Sequence, residues 1–111
     1  MKTLNLEQGN FSVEHALILV EIEIENAKRE GAVAIKVVHG YGSHGVGGAI
    51  LLALRTKLAE WKRTGFIENY FFGDKWNLFD KDAQKILNRD KSIYGDRDFY
   101  TRNPGITIIE I

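Results

Sequence analysis

The chain has no cysteine, a single proline and no net charge. Without cysteine there is neither a disulfide framework nor a thiolate zinc site. Fifteen basic side chains balance fifteen acidic ones, which argues against a strongly basic nucleic-acid module and leaves room only for a local basic patch. No apolar run approaches the roughly 20 residues of a membrane-spanning helix, and no leader-like segment is recognisable, so no membrane association and a cytoplasmic location are expected. Repeats, low-complexity tracts and linkers are absent too. What remains is 44 % apolar and 27 % charged over 111 residues, the composition of an ordinary globular protein. We read residues 1–111 as one domain with a single modest core.

Glycine, in contrast, is clustered. The run Val37-Val38-His39-Gly40-Tyr41-Gly42-Ser43-His44-Gly45-Val46-Gly47-Gly48 follows a β-branched apolar stretch and precedes apolar residues at helical spacing, Ile50, Leu51, Leu54, Leu58 and Trp61. Glycines and histidines therefore sit where a strand hands over to a helix. Glycine lets backbone N–H groups approach a ligand, and a helix start offers unpaired donors and a positive dipole end. Together these favour an anion site, usually for phosphate, and an imidazole adds capacity for proton chemistry. Gly40-x-Gly42-x-x-Gly45 matches the dinucleotide fingerprint literally, but the chain lacks the strands of two mononucleotide-binding halves. No Gly-Lys-Ser/Thr closes the loop, so it is not a P-loop. The bland alternative is a glycine-rich turn with no ligand. His39, directly after a buried strand, weighs against that alternative. His44 reads as an exposed loop residue and His15 as a surface or capping one.

Around this loop the pattern gives alternating strands and helices. Thr3 to Glu7 alternates as a short strand. Ser12 is an N-cap and Gly31 a helix stop, with Val13, Ala16, Leu17, Val20, Ile24 and Ala27 as the apolar stripe. Val20 to Glu25 alone alternates with period two like a strand, but the length from Ser12 to Gly31 favours helix. Strands follow at about Val33 to Val38, Ile67 to Phe72 and Ile106 to Ile111, with a second helix at about Gly47 to Arg63 ended by Gly65. The segment 74–103 reads as an insertion with a short helix that carries Phe79, Ala83, Ile86 and Leu87 on one face. Lys91 to Gly105 reads as an irregular surface loop.

At this point the chain resembles the small MutS-related, or Smr, domain over nearly all of its length outside the insertion. His39-Gly40-Tyr41-Gly42 matches the family's His-Gly-x-Gly motif, and Gly105-Ile106-Thr107-Ile108-Ile109-Glu110 matches its ending. The resemblance implies an α/β two-layer sandwich like the C-terminal domain of translation initiation factor 3: a four-stranded mixed sheet in β-α-β-α-β-β order with two main helices on one face. It also implies nucleic-acid binding and, in several members, DNA nicking or RNA endonuclease activity. The family's Leu-Asp-x-His motif stands here as Leu4-Asn5-Leu6-Glu7. Asn5 cannot serve as a general base, while Glu7 brings a carboxylate beside the expected site. Where the family often has a basic residue early in the second helix this chain has Leu51, and Arg55 follows one turn later. The loop also carries an extra residue, His44.

The leading expectation is therefore a DNA- or RNA-binding domain of nuclease type with weak cleavage at most. Glu7 and His39 are its candidate catalytic side chains. Gly40, Tyr41, Gly42, Ser43, His44, Gly45, Gly47, Gly48, Arg55 and Arg102 are candidate phosphate or nucleic-acid contacts. Lys36 and Arg97 are further sources of positive charge, and Tyr41, Tyr94 and Tyr100 of base stacking. Glu7 would position water or a divalent cation such as magnesium or manganese, although no residue set identifies a metal site. A carboxylate near His39 is expected to raise the histidine's pKa. The alternatives are a non-catalytic nucleic-acid or protein interaction module and a small-molecule phosphate enzyme using the same loop.

Overall fold

A computed structural model describes residues 1–40 and 46–111. Its sheet has four strands: β1 (Lys2–Asn5), β2 (Ala34–Val38), β3 (Asn69–Phe72) and β4 (Ile106–Glu110). They lie in the order β1-β2-β4-β3. β1 runs parallel to β2, with Leu4 opposite Val37 and Asn5 opposite Val38. β4 is antiparallel to both β2 and β3.

The helices α1 (Val13–Glu30) and α2 (Val46–Thr64) connect the first three strands. The Ser12 side chain caps α1 by accepting from the His15 amide, and Gly31 closes it in the left-handed region at φ 72°. A residue with a side chain would be strained there, which is why the helix stops where its sequence predicts. The ambiguous Val20–Glu25 stretch is helical, with Val20 and Ile24 fully buried and Ile22 exposed. Helical spacing thus wins over local alternation, because only helix puts Ala16, Val20, Ile24 and Ala27 on one inward stripe.

Pleat alternation divides the sheet's side chains between two cores. Ile35, Val37 and Ile109 join Ala16, Val20 and Ile24 of α1 and Ile50, Leu54, Leu58 and Trp61 of α2. The neighbouring positions Ala34, Ile106 and Ile108 turn to the opposite face. The expected mixed sheet with two main helices on one face is what forms, and the segment 74–103 adds a third layer over the other face.

That layer corrects the reading of Lys91 to Gly105 as an irregular surface loop. Helix α3 (Lys81–Arg89) begins at Asp80, whose carboxylate accepts from the Asp82 and Ala83 amides. Two 3-10 turns follow at Lys91–Gly95 and Arg97–Phe99. They press Trp76, Ala83, Ile86, Leu87, Ile93 and Phe99 onto Ala34, Phe71, Ile106 and Ile108. Phe79 does not share the α3 face with Ala83, Ile86 and Leu87. It lies before the helix and is 88 % exposed.

Lys36, on the same face as Ala34, anchors the segment that carries Asp96 and Asp98. Its ammonium is 2.5 Å from Asp96 Oδ1 and 2.8 Å from Asp98 Oδ2. Trp76 donates its indole N–H to the second oxygen of Asp96, and the Asn103 amide donates to Asp98. Burial works against the Lys36 ammonium, but the two carboxylates outweigh it and hold the pKa above its ordinary value. Burial likewise works against the Asp98 carboxylate, and its bonds from Lys36 and Asn103 outweigh that and hold its pKa low. Lys36, expected as a further source of positive charge, is instead paired with Asp96 and Asp98 within the fold.

Candidate functional site

The C-terminal ends of β1 and β2, the start of β4 and the end of β3 meet at one end of the sheet. Chain order and sheet order differ, so residues far apart in sequence become neighbours here. From one edge to the other the row runs Glu7, His39 with Gly40, Thr107, and Phe72.

Glu7 follows β1 directly. Leu6 continues the strand by donating its amide to the Val38 carbonyl and buries its side chain in the first core. Asn5 then accepts from the Glu7 amide at 2.9 Å. This Asx turn gives the asparagine a local structural role in place of a base's role. The turn leaves Glu7 exposed and leaning over Gly40. A Cβ built on Gly40 would lie 3.5 Å from Glu7 Cγ and 3.7 Å from Oε1. The sequence expectation that Glu7 lies beside the His39–Gly40 corner matches this geometry.

His39 continues the pleat of β2 onto the helix-covered face and is only 2 % exposed. Both ring nitrogens have partners within the protein. Nδ1 lies 2.6 Å from the Gly40 carbonyl, and Nε2 lies 2.9 Å from Thr107 Oγ1. A carbonyl can only accept, so Nδ1 carries the proton and the Thr107 hydroxyl donates to Nε2. The main chain is tied as well, since the His39 and Gly40 amides both donate to the Gly105 carbonyl at 3.0 Å. Gly40 itself sits at φ 74°, a conformation that favours glycine over any residue with a Cβ. His39 and Thr107 thus lock the strand end at which the chain leaves β2.

The charge state of His39 differs from the expectation. Burial lowers its pKa, the Gly40 carbonyl and the Glu7 carboxylate oppose this, and the Arg55 guanidinium pushes it lower again. Burial prevails, so the ring is neutral near pH 7. The carboxylate is nearby as expected, but desolvation of a nearly inaccessible ring outweighs an exposed, water-screened charge.

Arg55 projects from α2, is exposed, and stacks its guanidinium 4.5 Å above the Phe72 ring. It reaches this end of the sheet from one turn beyond Leu51. Gly47 and Gly48 lie in the first turn of α2, which starts at Val46. The candidate contacts Tyr41, Gly42, Ser43, His44 and Gly45 lie outside the described residues. Arg102 is exposed in the turn before β4 and is the one described non-glycine residue at positive φ, 51°. That turn is braced where the Gly105 amide donates to Asn103 Oδ1. Arg97, Tyr94 and Tyr100 are exposed on the insertion, with Tyr100 set edge-on to Phe99. His15 is exposed on α1, its ring edge-on to Phe11. Among the described residues no three His, Asp or Glu side chains converge as a metal site requires.

The sequence reading named no role for Thr107, Phe72, Asn103 or Gly105. Thr107 did leave a signal: a hydroxyl in the middle of Ile106–Ile109, fully buried, needs a partner. The partner, 68 positions away, is visible only in three dimensions.

No family model matches the sequence, and no curated protein matches it. Among solved structures the chain is similar to the Smr domain of Thermus thermophilus MutS2, with 21 % identity and a TM-score of 0.60 over 99 % of this chain and 96 % of that one. The four-stranded mixed sheet with its helices is therefore an Smr-type fold.

Proposed function

We propose that this domain binds the backbone of DNA or RNA at the His39 end of the sheet. The observation that carries the reading is the tied corner at Gly40. The main chain leaves β2 in a glycine-favoured conformation, fixed by His39, Thr107 and Gly105, and Arg55 of α2 reaches the same end of the sheet over Phe72. A fixed strand end beside an exposed guanidinium supports phosphate binding. The likeness to an Smr domain supports nucleic acid as the source of that phosphate.

Cleavage is at most a weak secondary activity in this reading. A neutral ring whose two nitrogens are both hydrogen-bonded within the protein has no proton to give without breaking the corner it stabilises. Asn5 is held in its turn, which leaves Glu7 as the one carboxylate at the corner. The same observations favour the non-catalytic binding module as the second reading.

The test is binding of short fluorescent DNA and RNA oligonucleotides across a salt series, with plasmid nicking and RNA cleavage followed in parallel. We expect affinity that falls steeply with salt through counterion release. Cleavage by the wild type should be slow, and Glu7→Gln should lower it further. Salt-insensitive or absent binding would contradict the proposal, and fast cleavage would contradict the structural role given to His39.

A further inference from the structure

A flank of the domain beyond the glycine corner carries an arrangement that phosphate binding at that corner does not use. β3 lies at the edge of the sheet and pairs only with β4. Tyr70 and Phe72 alternate onto its helix-covered face, half-buried, with ring centroids 5.7 Å apart. Each is topped by a cation from α2: the Arg55 guanidinium lies 4.5 Å above Phe72, and the Lys62 ammonium lies 5.9 Å from Tyr70. Arg55 and Lys62 are seven positions apart, so they share one side of the helix about 10 Å apart along its axis. Elsewhere Lys57, about 200° around α2 from Arg55, lies over Trp61, and Lys28 of α1 lies over Phe66.

Significant cation–aromatic pairs occur about once per 70–80 residues. Two such pairs, Arg55–Phe72 and Lys62–Tyr70, adjoin on the single seam between α2 and β3. The charges are also available. Among the described residues, Arg55 and Lys62 form no ion pair, and the Lys62 ammonium, which donates to Asn69 Oδ1 at 2.9 Å, meets no carboxylate. In a chain of zero net charge, cations left without carboxylates and laid over rings make a surface complementary to a polyanion with flat, stackable groups.

We infer that the seam between α2 and β3 is a track for single-stranded nucleic acid, with an unpaired base stacked on the Arg55–Phe72 pair and the backbone passing to Lys62. The exposed Arg55 guanidinium over Phe72 is placed to take a base on its plane, as guanidinium planes do in single-strand recognition. The separation to Lys62 matches about three steps of a stacked strand at roughly 3.4 Å each. A duplex hides its base faces in its own stack, so it gains only the phosphate contacts. The inference rests on the proposed nucleic-acid binding and adds its substrate class and direction: the strand runs from the Gly40 corner along β3.

The experiment compares twelve-nucleotide single-stranded DNA and RNA, one set carrying 2-aminopurine, with duplexes of the same sequence. The proteins are wild type, Arg55→Lys, Phe72→Leu and Lys62→Gln, each checked for wild-type circular dichroism. Wild type should prefer single strands by about tenfold and quench 2-aminopurine on binding. Arg55→Lys keeps the charge and the fold, and should lose about tenfold in single-strand affinity together with the quenching. Lys62→Gln should keep the quenching and lower the salt slope by about 0.7. Equal or tighter duplex binding, or quenching that survives Arg55→Lys and Phe72→Leu, would overturn the track while leaving backbone binding at the corner intact. Absence of any binding by the wild type would overturn both.

Discussion

The two faces of the sheet bury similar numbers of apolar side chains by opposite means. The first face is covered by two regular helices whose stripes can be read at 3.6-residue spacing, and its core is almost wholly apolar. The second is covered by a nine-residue helix and two 3-10 turns, held by Lys36 between Asp96 and Asp98 and by an indole hydrogen bond. Regular helices satisfy their own backbone and need only an apolar stripe. An irregular cover lacks that order, and here charged and polar contacts set its register. The difference also separates roles. The row from Glu7 to Arg55 belongs with the first face, and the segment 74–103 is the structural cover of the second.

The sharpest way to break this comparison is at Trp76. Trp76→Ala removes a fully buried indole and strips Asp96 of its N–H donor, and should cost about 3–5 kcal/mol in urea unfolding. Leu54→Ala, in the helix-covered core, should fall in the broader range of about 2–5 kcal/mol. Lys36→Met comes next. It leaves two largely buried carboxylates without their cation, for an expected loss of about 3 kcal/mol. Adding Asp96→Asn and Asp98→Asn should recover much of it. A Lys36→Met protein as stable as wild type would make the second face an ordinary apolar cap and erase the distinction.

Much of the first face was legible from sequence because its signals are local. Ser12, Gly31 and Gly65 mark helix ends where the caps form, and the stripe from Ala16 to Ala27 outweighs the strand-like Val20 to Glu25. The β-branched runs gave β2 and β4. The second face was legible only at Ala83, Ile86 and Leu87, which keep helical spacing. Trp76, Ile93 and Phe99 stand among charged and turn-forming residues with no period, so their burial depends on contacts across the sheet. The site divides the same way. His39 and Gly40 stand out in a motif and Glu7 beside a strand end, whereas the neutrality of His39 follows from burial, and Thr107 joins it only through the antiparallel return of β4.

Gly40→Ala is a smaller perturbation on the first face. The new methyl meets Glu7 only at ordinary contact distance, so the cost is the left-handed backbone, about 1–2 kcal/mol. Salt-sensitive nucleic-acid binding should weaken with it. The smallest expected effect is a pH dependence. Burial holds the folded pKa of His39 below the ordinary histidine value of about 6.5, so the unfolded chain binds this proton first as pH falls. The contribution of His39 is complete above about pH 6.5 and is lost as pH drops toward the folded pKa, at no more than about 1.4 kcal/mol per pH unit for one proton. Unfolding curves of wild type and His39→Gln between pH 5 and 7.5 check the sign: the difference in stability should shrink on acidification.

On the proposed function, nucleic acid docks at the Gly40 corner of the helix-covered face and leaves the segment 74–103 undisturbed. Amide and indole chemical shifts of ¹⁵N-labelled protein, titrated with a short single-stranded oligonucleotide at low salt, test it most directly. Shifts should concentrate at Glu7, Gly40, Thr107 and the Arg55 turn of α2, while the Trp76 indole and the amides of Lys81–Arg89 stay in place. Shifts centred on Trp76 and α3, with the Gly40 corner unchanged, would contradict the account.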